Sequence, residues 1–157
     1  MRAAGLAVLL TLLATAAGAH PAPNSLLKLD FRATGVHAEY WVPVSELAYA
    51  RAADPRGGRF ADYLLRHVGA ESTAGVPWRV SVDGVREATY ADHPYLVADL
   101  ELQPPAGVSP RVFVLLDDAV THEVRNHVVY VMARHEAGSE LLGLIQYPTR
   151  RLEVAAR

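Results

Sequence analysis

Short runs of alternating apolar and polar residues, separated by turn signals, recur through most of this chain and restrict it to a mainly β fold. Residues 25–32 put Leu27, Leu29 and Phe31 on one face and Lys28, Asp30 and Arg32 on the other, the period-two pattern of a half-buried strand. Thr34-Gly35 is a turn signal, and residues 36–42 alternate again, so the two runs predict a hairpin. Further runs follow at 78–82, 85–90, 95–102, 112–116, 128–132, 141–147 and 151–154. Asp83-Gly84 predicts a tight hairpin turn between the first two of these. Regular spacing of this kind predicts an immunoglobulin-like antiparallel β-sandwich of about seven to nine strands. One short helical insertion interrupts it after Pro43. There Phe60, Leu64, Leu65 and Val68 recur at helical spacing over residues 59–69.

A chain of 157 residues accommodates one domain with a substantial core. Its formal charge of −2, with no basic run, excludes a general nucleic-acid binder. Cysteine is absent, which excludes disulfides, thiolate metal sites and cysteine nucleophiles. No Gly-x-Ser-x-Gly, phosphate loop or histidine–carboxylate–nucleophile set is evident, so no enzymatic activity is expected. The N-terminus has a different character. Arg2, an apolar stretch from Ala3 to Ala16 and the small residues Ala17-Gly18-Ala19 have the form of a secretory signal peptide over residues 1–19. Residues 20–157 are then one β-sandwich domain in the periplasm or another extracytoplasmic space, with no membrane span after cleavage.

Cleavage after Ala19 makes His20 the first residue, with a free α-amine and an imidazole that together chelate a metal ion. Such nitrogens favour copper, nickel or zinc. Two further histidines, His122 and His127, flank Glu123-Val124-Arg125-Asn126 between apolar runs. If those runs form a hairpin, the two histidines are its last cross-strand pair, close enough to share an ion. They are five residues apart, which separates them from the helical His-Glu-x-x-His of zinc proteases; two polar residues at an exposed loop end is the plainer reading. Asp118, just upstream, is placed to orient an imidazole from behind. Asp92 and His93 form a weaker ligand pair that a loop-forming role explains equally well. His37 reads as a solvent-side strand residue, His67 as a complement to a helix C-terminus, and His135 as lying at the far end of its strand from His127.

Several of these features occur together in one known family. His20-Pro-x-Pro-Asn-Ser, a strand ending in a Gly turn, Ala38-Glu39 with Val42-Pro43-Val44, and Asp-Ala-Val-x-His-x-Val-x-x-His over Asp118–His127 resemble the extracytoplasmic N-terminal domain of HupE/UreJ-type membrane proteins. The resemblance implies transition-metal handling, of nickel or copper, with His20, His122 and His127 at the matching positions. It also implies a membrane metal transporter or another periplasmic protein as partner. The membrane helices of that family have no counterpart here, so transport itself is not expected of these residues. Two readings follow: a metal-binding accessory domain, and a metal-free interaction module that docks on a membrane partner.

Overall fold

The computed structural model describes residues 23–50 and 59–156. Among them the chain is mainly β, with nine strands in two sheets and two short helices. Strands β1 (Ser25–Phe31) and β2 (Val36–Pro43) form the expected hairpin, and Leu27 and Leu29 point inward as the alternation requires. Helices α1 (Val44–Tyr49) and α2 (Arg59–His67) follow as the helical insertion. The wheel of α2 buries Phe60, Tyr63 and Leu64. Its final turn stops at His67, and β3 (Val68–Glu71) begins at the next residue.

The long strands β4 (Arg79–Tyr90) and β5 (His93–Gln103) come next, then β6 (Val112–Asp117), β7 (Val128–His135), β8 (Gly138–Gln146) and β9 (Arg151–Ala155). One sheet runs β4-β5-β2-β1-β7-β8 and the other β3-β6-β9. All pairings are antiparallel except β1 with β7, which is parallel. Between the layers lies an apolar core that includes Leu29, Leu47, Leu64, Leu100, Phe113 and Ile145.

Two local expectations are corrected. Asp83-Gly84 is a bulge inside one continuous β4, not a hairpin turn. The uninterrupted length of β5 supplies a partner for both halves of β4, and pairing with it outweighs the local turn preference. The hairpin turn falls instead at Ala91-Asp92, both at positive φ (48° and 64°), as a two-residue turn matching strand twist demands. Nor do β6 and β7 form a hairpin. β6 lies in the smaller sheet, and β7 joins β1 and β8 in the larger. Residues 118–127 therefore cross between layers, anchored by Ala119, Val120 and Thr121, all buried. A crossing, not a hairpin end, is what the buried Ala119-Val120 pair requires, since an exposed loop would leave both in water.

The two layers close on each other where β8 meets β9. A Cβ at Gly143 would lie 2.6 Å from Leu152 Cδ1, so glycine admits the Leu152 side chain. Gly143→Ala is expected to cost about 1 kcal/mol, the low end for overpacking because the Leu152 tip can turn. Urea unfolding checks this, and the cost of Gly143→Ala should shrink when it is introduced into a Leu152→Ala background.

Candidate metal centre

Three side chains from two elements distant in sequence meet at the end of α2. The Val68↔Asp117 pairing of β3 with β6 brings the last residue of α2 alongside the crossing segment. The Asp118 amide then donates to the His67 carbonyl at 3.1 Å. His67 Nδ1 lies 2.7 Å from Asp118 Oδ1, and Arg150 Nη1 holds Asp118 Oδ2 at 2.8 Å. One turn along the crossing, the His122 amide donates to the Asp118 carbonyl at 3.1 Å, and His122 Nδ1 lies 2.9 Å from that same oxygen. The two imidazoles stack, with centroids 4.3 Å apart and planes 18° from parallel.

These hydrogen bonds set the tautomers. A carbonyl oxygen only accepts, so His122 Nδ1 carries the proton it donates. His67 Nδ1, facing a carboxylate oxygen, donates likewise. In the neutral rings both Nε2 atoms then carry lone pairs, the state in which imidazole binds metal. One donor atom from each of His67, Asp118 and His122 lies within 4.8 Å of the others, and all three residues are partly exposed. Among the described residues no other three histidine or carboxylate side chains converge in this way.

The ground beneath the site is buried and hydrogen-bonded. The Tyr63 ring lies 4.6 Å from His67, and its hydroxyl accepts from the Val120 amide at 2.8 Å. Burial pushes the Tyr63 phenol up to about 12, so it stays protonated. Asp117, fully buried, accepts from Tyr40 Oη at 2.6 Å and from the Ala119 amide at 2.8 Å. Loss of solvation raises its carboxyl to about 7. The left-handed Val120 (φ 64°) is held by the Tyr63 contact and turns the chain so that His122 returns over Asp118.

Of the residues expected from sequence, His122 and Asp118 are brought together, and His20 lies outside the described residues. His127 does not join them. The hairpin that would have set it opposite His122 is not formed, and His127 is instead buried just before β7. Its Nε2 is 2.8 Å from Ser25 Oγ, and its Nδ1 is 3.5 Å from Glu46 Oε2, without a hydrogen bond. Burial depresses its imidazole to about 4. Ser25, His127 and Glu46 follow the order of a hydrolase triad, but the Ser25 hydroxyl is sealed in the core and reaches no substrate. Asp92 shapes the β4–β5 turn, His93 pairs with Tyr90 across it, and neither belongs to the cluster. His37 and His135 lie beside Glu101 and Glu140 on the strand surface.

The residue missed from sequence is His67. Its place at a helix C-terminus gave a sufficient local reason for a histidine, while its partners lie 51 and 55 residues away along the chain. No helix among the described residues is long and apolar enough to cross a membrane. No protein-family model matches the chain, and no curated protein matches it.

Proposed function

We propose that this chain is an exported accessory domain that binds a transition-metal ion, copper or nickel, through the Nε2 atoms of His67 and His122. Asp118 holds both imidazoles, and the bound ion is presented to a membrane transporter or another extracytoplasmic partner. The single observation carrying this reading is the pair of stacked imidazoles whose Nδ1 atoms are both engaged by Asp118. Imidazole donors suit copper, nickel and zinc. An outer carboxylate or carbonyl on the opposite ring nitrogen is the usual support of a ligating histidine. The signal-peptide pattern at residues 1–19 and the resemblance to HupE/UreJ-type domains supply the export and the partner. His20 is the proposed third donor.

Two imidazoles and one open side form an incomplete coordination sphere, which suits a domain that passes its ion on. In a chelator-competition titration with copper(II), His67→Ala and His122→Ala should each weaken binding at least about tenfold, since each removes one of two imidazole donors. His135→Ala, on an exposed strand end beside Glu140, should leave it unchanged. One residue added before His20 in the processed protein should also weaken binding, by moving the amine off the chelating residue. Equal affinity in all variants would remove the metal reading. It would favour the interaction module, for which the apolar Leu141 and Leu144 exposed on edge strand β8 give a surface.

A further inference from the structure

We propose a second metal site, separate from the His67–His122 pair, in which His127 Nδ1 and Glu46 Oε2 bind one divalent first-row ion behind the Glu46 side of a pocket beside α1. His127 Nδ1 is fully buried and has no hydrogen-bond partner, which is rare for a polar atom in a folded interior. Glu46 Oε2 stands 3.5 Å away without forming a hydrogen bond. That spacing is poor for a hydrogen bond and good for two ligands of one ion. With bonds of about 2.0–2.1 Å, donors so spaced subtend roughly 115° at the metal, near tetrahedral.

The rest of the arrangement agrees with this role. Ser25 Oγ sits 2.8 Å from His127 Nε2. It fixes the ring as an outer partner does for a ligating histidine; in the tautomer the site requires, Nε2–H donates to Ser25 Oγ and Nδ1 is bare. The ring is neutral in the fold, because burial holds it down to about 4, and a metal ligand must be deprotonated. Glu46 is itself buried, and its carboxyl is pushed up by the same loss of solvation. A cation would relieve that cost. Access exists on the Glu46 side. A pocket of about 560 Å³, lined by Glu46, Tyr49, Glu123, Val124, Arg125 and Asn126, opens between α1 and the crossing segment. It has room for the ion and for the waters that complete its coordination.

The test uses zinc(II), which is spectroscopically silent, on the full processed chain. Wild type should bind two equivalents, and the His67→Ala/His122→Ala protein should keep one. Adding Glu46→Gln, close in size to the native side chain, should weaken that remaining equivalent at least about tenfold (~1.4 kcal/mol). Nitrogen NMR of the His127 ring in wild type is a reading independent of any variant's folding. The Nδ1 resonance should move on zinc saturation while the Nε2–H signal persists. A His67→Ala/His122→Ala protein that binds no zinc, or a His127 Nδ1 resonance unmoved in saturated wild type, overturns the proposal.

Discussion

Asp117→Asn should make the metal-free protein's stability rise with pH across a range in which wild type changes little. Asp117 is sealed in the core with Tyr40 and the Ala119 amide as partners, and burial raises its carboxyl to about 7. A folded pKa above the unfolded value of 3.8 means that the native state binds the proton more tightly. The stability this contributes is fully present below about pH 4 and is lost as pH rises through about 7. Asparagine keeps an acceptor for Tyr40 and has no proton to lose. The gap between the two proteins should therefore move in the variant's favour by about 4 kcal/mol from pH ~3 to ~8.

His127 works in the other direction. Its folded pKa of about 4 lies below the reference 6.5, so its contribution is present above about 6.5 and is lost as pH falls towards 4. In wild type the two slopes largely offset each other. In Asp117→Asn the His127 slope stands uncovered, and stability should fall on acidification below about pH 6.5. Urea unfolding in a chelator across this range measures both curves. Parallel curves at every pH would show that Asp117 is not buried as a charged group.

Much of the architecture is legible because the cues are local. Leu27, Leu29 and Phe31 against Lys28, Asp30 and Arg32 give β1 directly, and Phe60 with Leu64 gives α2. Two misreadings have one cause, since a local signal cannot report which strand a segment will find. Asp83-Gly84 has turn chemistry, yet β5 is long enough to pair on both sides of it. Val112–Leu116 and Val128–Met132 are neighbours in sequence, yet enter different sheets.

The site follows the same rule. His122 and Asp118 lie within one short crossing segment, so their proximity is readable. His67 reaches them only through the Val68↔Asp117 register, a contact no local pattern encodes. His127 shares its segment with His122, but its surroundings are Ser25 and Glu46, which the tertiary fold alone supplies.

Substitutions at Asp118 should separate an orienting carboxylate from a ligating one. With Asp118 as the group that fixes His67, Asp118→Asn keeps an oxygen to accept from His67 Nδ1 and should weaken copper(II) only a few-fold. Asp118→Ala frees the ring and also releases Arg150, and should cost about 10–100-fold in affinity. If Asp118 were itself a ligand, asparagine would lose nearly as much as alanine. For either protein, affinity should fall on acidification, since protons compete for the same nitrogens. The comparison therefore belongs at one fixed pH, by competition with a chelator of known strength.

The central claim is that His67 and His122 share one ion, and pulsed EPR of protein loaded with copper(II) reads this most directly, by counting coordinated imidazoles through their remote ring nitrogens. The count should drop by one in His67→Ala, by one in His122→Ala and by two when both are replaced. A count that is the same in wild type and in the double variant would contradict the claim and leave the stacked pair as a structural contact.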